Sequence, residues 1–341
     1  MALGPRVLKT GIAVAMALYI SMFLGFQTPV IAAVAAIFAM QPSIYRSWRY
    51  FLDQLQTNTL GAAIALLVGM AFANDPLIIG LTCIIVIMIC LKMKMEETIG
   101  LTLVTVIAVM EASGQWDFAL SRFLHTLVGI GSAFVINILF FPPKPNVQFL
   151  KQIDAVFNRM SLLLRTAISD EMKESSFRSE YQALETEMLS LHDKFKLFEE
   201  EIKKIKRAKY RRSRQIVVYK QMLNTLQKGL EVLETIDNHY FQSTRTPEIN
   251  EAFDRHLELL EKAHELVLLK LDDKMKPELE SIEQMEIENE KFLQTVMQEI
   301  HFDDGSRRLS IVAAACYEYG YQIARLDRLA GHADIEEKSS S

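Results

Sequence analysis

FALSRFLHTLVGIGSAFVINILFFPPKP, residues 118–145, holds the boundary around which the whole chain is organised. Up to Phe141 the stretch is apolar, with Arg122 as its one permanent charge. Its 24 residues would extend about 36 Å as a helix, enough to cross a hydrocarbon layer of about 30 Å. Pro142 and Pro143 then end the helix, because proline lacks the N–H that a helix interior needs. Beyond Pro145 the composition changes. Residues 1–144 carry 8 Lys/Arg and 6 Asp/Glu, a net of +2, whereas residues 145–341 carry 29 and 36, a net of −7. Ten of the 14 glycines and seven of the nine prolines lie at or before Pro145. One part is written for lipid and the other for water.

Working back from residue 118, five more apolar segments of spanning length precede it: Lys9–Phe26, Thr28–Ile44, Leu55–Ala73, Asp75–Leu91 and Met93–Met110, with Phe118–Phe141 as the sixth. The first two are joined by a very tight turn, so a re-entrant hairpin competes with two full spans there. Arg6 and Lys9, Arg46 and Arg49, Lys92 and Lys94, and Lys144 and Lys151 fall in alternate connections. The connections at 25–29, 73–76 and 111–117 hold no Lys or Arg. The positive-inside rule therefore predicts six spans, a cytoplasmic N-terminus and a cytoplasmic second half in the inner membrane. Trp48 and Trp116 fall at the predicted interfaces, where amphipathic rings are favoured.

Few polar residues interrupt these segments. Arg122 and His125 lie near the outer end of the sixth segment, and Asn137 lies near its inner end. Gln54 and Asn58 lie where the third leaves the cytoplasm. Polar groups at membrane depth mark candidate pathway or substrate-binding residues; for Arg122, snorkelling to the nearby boundary is the alternative. Gly61, Ala65 and Gly69 in the third segment, and Ser121, His125, Gly129, Ala133 and Asn137 in the sixth, recur every four residues. Such rows serve close helix packing or line a polar path.

Residues 145–341 read as an antiparallel bundle of five or six helices. Leu184, Met188, Leu191, Phe195, Phe198, Ile202 and Ile205 form one alternating row; Leu309, Val312, Cys316, Tyr319, Ile323, Leu326 and Ala330 form another. Thr246-Pro247 and Lys276-Pro277 are helix starts. The basic run Lys203, Lys204, Lys206, Arg207, Lys209, Arg211, Arg212 and Arg214 is either a solvated helix end or a contact with anionic lipid. The six histidines in this half read as structural or exposed. Three cysteines (Cys83, Cys90, Cys316) exclude a disulfide scaffold. No metal-binding, nucleotide-binding or triad motif is found, so the chain reads as a non-enzyme with no cofactor and no nucleic-acid partner.

Several short motifs together resemble a known family: Lys9-Thr10-Gly11-Ile12-Ala13, Pro29-Val30, Met40-Gln41-Pro42-Ser43, Thr59-Leu60-Gly61-Ala62, Arg122 with Thr126 and Gly129, and Asn137 leading to Phe141-Pro142-Pro143. The pattern is similar to that of bacterial aromatic acid exporters, within the fusaric acid resistance group. The resemblance implies a membrane domain over 1–144 and the family's cytoplasmic helical domain over 145–341. It also implies efflux of small aromatic carboxylates driven by the proton gradient, and a homodimer, because longer relatives carry a second membrane half. A related plant group consists of anion channels, so a passive organic-anion channel is the alternative. A non-transporting membrane anchor is the third reading.

Overall fold

The computed structural model describes residues 5–26, 28–72, 75–112, 116–140, 145–168, 172–204, 209–243, 245–272, 281–299 and 304–339. These residues are helical almost throughout, and no strand occurs among them. The chain divides into two compact units, Met1–Lys144 and Pro145–Ser341.

The first unit contains α1 (Pro5–Phe23), α2 (Val30–Phe38), α3 (Ile44–Ala71), α4 (Pro76–Lys92), α5 (Ile99–Glu111) and α6 (Trp116–Leu139). Local chemistry sets the boundaries. Ser43 caps α3 by accepting from the Arg46 N–H, and Asp75 caps α4 ahead of Pro76 in the first turn. After α1, Gly25 at φ +73° closes the helix, with Phe26 N–H donating to Ser21 O and Gly25 N–H to Met22 O.

The helices differ in extent from the expected segments, most of all in the second, third and fifth. The helix expected over 28–44 is only nine residues, about 14 Å; Pro29 precedes it, and Ala39–Ser43 unwinds toward Pro42. The third helix starts at Ile44 rather than Leu55, so Arg46 and Arg49 are helical. The fifth starts at Ile99 rather than Met93, after a 3₁₀ turn over Glu96–Thr98. In the sixth, helix ends at Leu139. Two described helices, Arg6–Phe23 and Trp116–Leu139, are long and apolar enough to cross a membrane, and Pro76–Lys92 is a shorter apolar helix.

The outside of this unit is apolar. It supplies 31 of the 39 large hydrophobic side chains that stand exposed among the described residues. Where α1, α2 and α6 meet, its inside is rich in small residues, whereas the cluster between α3, α4 and α5 holds Leu66, Val86, Val106, Val109 and Met110. Ala13, Ala17, Ala32, Ala35, Ala36 and Ala133 belong to the buried cluster joining α1, α2 and α6.

The second unit contains α7 (Pro145–Ile168), α8 (Glu174–Lys204), α9 (Lys209–Thr235, continued by one π turn to Tyr240), α10 (Pro247–Leu271), α11 (Ser281–Glu299) and α12 (Asp304–Ser339). Side-chain pairs give the directions. Arg159 of α7 meets Glu180 and Glu187 of α8, and Gln152 meets Glu187, so α7 and α8 are antiparallel. Gln221 with Gln322 and Gly229 with Tyr319 set α9 antiparallel to α12. His256 with Asn289 and Phe253 with Phe292 set α10 antiparallel to α11. In contrast, α10 and α12 run parallel, His264 meeting Tyr319 and Lys270 meeting Asp327. Thr246 caps α10 by accepting from Ile249 N–H, with Pro247 in the first turn. The start expected at Pro277 lies outside the described residues. Every described member of the two apolar rows is buried except Ile202, which packs against the core at its edge.

Candidate functional site

The four-residue row on α6 is one continuous packing face against α1 and α2. A β-carbon on Gly129 would overlap the Ala32 carbonyl oxygen and stand 2.6 Å from the Ala35 Cβ, so only glycine lets α6 and α2 approach this closely. Ala133 is fully buried in the same cluster. The middle of the row is therefore helix packing, and its polar members lie at the two ends.

At one end, His125 is 2% exposed and its ring lies 4.2 Å from that of Phe26. Its Nδ1 faces the Ser121 carbonyl oxygen, which can only accept, so Nδ1 carries the proton. Nε2 is buried with no partner among the described residues. Arg122, three residues earlier, reaches across to α5, where Nη2 donates to the Val104 carbonyl at 3.5 Å. The structure does not bring Arg122 and His125 into contact. Their partners lie on different elements although the two residues, three apart, are about 60° from one another around the helix.

At the other end, Asn137 is held on all sides. Its Nδ2 donates to the Ser47 Oγ at 2.7 Å and to the Gln41 carbonyl at 3.1 Å. Its Oδ1 accepts from the Lys9 Nζ at 3.0 Å. Asn137, Ser47 and Lys9 are 1%, 2% and 7% exposed. The sequence singled out Asn137, but Lys9 stood there as an orientation charge and the opening of a family motif, not as a site residue, and Ser47 was passed over. The available signal was depth: Lys9 lies four residues inside α1, as Asn137 lies two inside the end of α6.

Gln54 and Asn58 belong to a third polar group, between α3 and α5. Gln54 Nε2 donates to Thr102 Oγ1 at 3.2 Å, and Thr102 Oγ1 donates to Thr57 Oγ1 at 3.0 Å. Gln54 Oε1 and Asn58 Oδ1 are buried with no partner among the described residues. Gly61 permits this approach, since a β-carbon there would press the Thr102 methyl at 2.7 Å. Neither Thr57 nor Thr102 was marked by sequence, because threonine is ordinary in apolar helices.

The basic run brackets the α8–α9 connection. Lys203 and Lys204 end α8, and Lys209, Arg211, Arg212 and Arg214 lie in the first turns of α9. Lys206 and Arg207 lie outside the described residues. The second unit also has a cleft of about 350 Å³ between α7 and α10, lined by Arg165, Asp254, Glu258, Glu261 and Lys262. Glu261 is 1% exposed, and one of its oxygens accepts from Ser161 Oγ and Arg165 Nε. Burial raises its pKa, and those bonds oppose the rise. Two histidines lie in the core of this unit. His256 donates to Asn289 Oδ1 and stacks on Phe292; burial lowers its pKa to about 4. His264 pairs with the Tyr319 hydroxyl at 2.7 Å, and burial lowers its pKa to about 3. Among the described residues no three His, Cys, Asp or Glu side chains lie together to hold a metal ion.

An apolar-surfaced unit with polar groups at its helix ends, followed by a second helical unit, matches known sequences over nearly its whole length. Residues 1–140 match the profile of aromatic acid exporter family member 1, and residues 99–333 match that of the fusaric acid resistance protein family. The chain belongs to the aromatic acid exporter family. This exporter-family chain is 35% identical to UPF0421 protein YgaE of Bacillus subtilis, over 83% of its own length and 81% of that relative. It is 30% identical to UPF0421 protein OB2406 of Oceanobacillus iheyensis over 43% of each chain. It is 28% identical to UPF0421 protein BH2644 of Halalkalibacterium halodurans over 52% and 51%. Those names state no substrate. Membership makes this a membrane protein of an exporter family and favours transport over catalysis.

Proposed function

We propose that the protein exports small organic carboxylates, aromatic acids among them, across the cytoplasmic membrane, drawing on the proton gradient. In this reading it crosses the membrane several times, works as a homodimer, and keeps its N-terminus and its second unit in the cytoplasm. The observation that carries the reading is the placement of ionisable and amide side chains inside a unit whose outer surface is apolar. Lys9, Asn137, Gln54, Asn58 and His125 are all at most 7% exposed there. Burying such groups costs several kcal/mol unless they are paired or used, so their presence marks a path for a polar cargo.

The nine-residue α2 does not disturb the proposed orientation. Phe26 lies beside His125 and Gln41 beside Asn137, so residues 26–41 run back along α6 over about 18 Å. Whether this hairpin spans or re-enters, Arg46 and Arg49 return to the side of Arg6. The basic-loop argument therefore needs only the later segments to cross.

Proteoliposomes containing the full chain test the proposal with a panel of aromatic and aliphatic carboxylates, with and without a pH gradient. Gradient-dependent efflux is the expected result. Equal flux without a gradient would make the protein a passive anion channel, and no flux of any carboxylate would leave it a membrane anchor.

A further inference from the structure

We infer that Lys9 and Ser47, held in place by Asn137, form a seat for a single carboxylate group at the end of the first unit where α1 begins and α6 ends. This rests on the exporter reading and places its substrate at particular side chains.

The hydrogen-bond inventory leads to the ligand class. A protonated lysine has three N–H donors. Asn137 Oδ1 takes one of them, and among the described residues Lys9 has no ion pair. Both Asn137 N–H groups are committed, to Gln41 O and Ser47 Oγ, so the amide cannot turn its nitrogen toward Lys9. Ser47 Oγ accepts from Asn137 and keeps its own proton to donate. One turn along α3, Tyr50 is 3% exposed, and its hydroxyl, buried with no partner among the described residues, lies within reach of the Glu97 charge rather than at Lys9. Tyr50 packs in the same cluster as Ala13, Met40 and Ile136, neighbours of the Lys9 and Asn137 helix turns. What remains unused at Lys9 and Ser47 is the ammonium charge, two of its N–H donors and the serine proton. The first turns of the 28-residue α3 add the positive end of its dipole.

Such a set rejects cations and takes an anion. A carboxylate supplies acceptor-only oxygens and the missing negative charge, which offsets the cost of keeping the ammonium buried. A purely structural lysine would need the asparagine oxygen as its acceptor but would have no use for the unused serine proton. Asn137 is a positioning residue: it aims the ammonium and the serine and leaves both able to donate.

The experiment uses the full chain, purified in detergent and in proteoliposomes, with benzoate, cinnamate and acetate as probes and methylammonium as the cation control. Thermal unfolding reads binding, because a ligand that binds only the folded state raises Tm. The wild-type protein is expected to be stabilised by at least one carboxylate and not by methylammonium. Lys9→Met and Asn137→Asp should weaken that binding at least tenfold. Asn137→Asp is the discriminating variant, because its carboxylate pairs with Lys9 and should hold or raise the unliganded Tm. Ser47→Ala, a one-atom change, should weaken binding several-fold. Wild-type binding to none of the three carboxylates overturns the seat, as does binding within twofold of wild type in Asn137→Asp. Flux separates the two proposals. Carboxylate efflux unchanged in Lys9→Met removes the seat and leaves the exporter, while Lys9-dependent binding without any wild-type flux removes the exporter and leaves the seat.

Discussion

The two units bury their helices by opposite means. In the second, the largest fully buried side chains are big: Tyr240, Tyr319, Phe149, Phe177 and Phe253. Aromatic rings stack and meet edge-on, Phe253 with Phe292 at 5.0 Å and Phe149 with Tyr219 at 5.1 Å. In the first, α1, α2 and α6 meet largely through alanine and glycine. Water drives large apolar groups together, so a bundle in water gains by making its core side chains large. Lipid tails are as apolar as leucine, so helices in lipid gain by shedding side chains and bringing backbones close. The same chain follows both rules on either side of Pro145.

The sharpest way to break this contrast is to enlarge the small face. Gly129→Val would drive a side chain into the Ala32 carbonyl, which is backbone and cannot swing aside. The expected outcome is loss of monodisperse protein in detergent size-exclusion chromatography. A well-folded Gly129→Val protein with wild-type Tm would mean that the α2–α6 approach is not the device that joins them. The opposite substitution probes the second unit. Phe253→Ala empties a site that is 0% exposed and should cost about 3–5 kcal/mol, read by denaturant unfolding followed through the bundle's aromatic signals. A loss below about 1 kcal/mol there would argue that the bundle is held by its polar pairs instead.

Acid should separate the units further. His256 and His264 are held neutral in the folded bundle, with pKa values of about 4 and about 3, against about 6.5 in an unfolded chain. Below about pH 6.5 the unfolded state therefore binds more protons than the folded one, and stability falls as pH falls until the folded values are reached. The expected loss at pH 5 is about 2 kcal/mol per histidine relative to pH 7.5. Glu261 works the other way, since its raised pKa favours the folded state as pH falls through the carboxylate range, so the net slope is shallower where that carboxyl takes up its proton. Replacing His256 by Gln and His264 by Phe should flatten the slope between pH 7.5 and 5. An unchanged slope would place the acid sensitivity elsewhere.

What could be read in advance follows the same division. The bundle rows were legible because water enforces a period, and Leu184 through Phe198 and Leu309 through Ala330 are buried as spaced. In the first unit nearly every residue is apolar, so hydropathy gives the segments but not where each helix starts or stops. Ser43 and Pro42 carry the start of α3 eleven residues before the apolar run does. The candidate site was legible in half. Asn137 is conspicuous because an amide is rare in such a helix. Its partners Lys9 and Ser47 were hidden, one among the topological charges and the other among ordinary serines, and only tertiary contact joins residues 128 positions apart. Arg122 and His125 show the converse, two neighbours in sequence whose contacts lead apart, one to α5 and the other to Phe26 beyond the end of α1.

The smallest expected effect concerns strain, which also falls on the first unit. Helices α1 and α4 end in the same way. After α4, Met95 N–H donates to Cys90 O and Lys94 N–H to Leu91 O, the pattern that Phe26 and Gly25 make after α1. The closing residue must adopt a left-handed conformation, and α1 uses glycine there. α4 uses Lys94 at φ +59°, the one non-glycine residue at positive φ among the described residues. A side chain in that region costs about 1 kcal/mol, because Cβ crowds the backbone carbonyl. Lys94→Gly removes the crowding and should raise stability by about that amount, seen as a small rise in Tm. Lys94→Ala keeps the crowding but loses the charge, and should leave Tm near that of the wild type. If the alanine variant instead falls well below wild type, the ammonium contributes more than its backbone strain costs, as a basic group anchored at the inner boundary would. If glycine gains and alanine is neutral, Lys94 is retained at a cost to stability, and its purpose is to be read in orientation and flux instead.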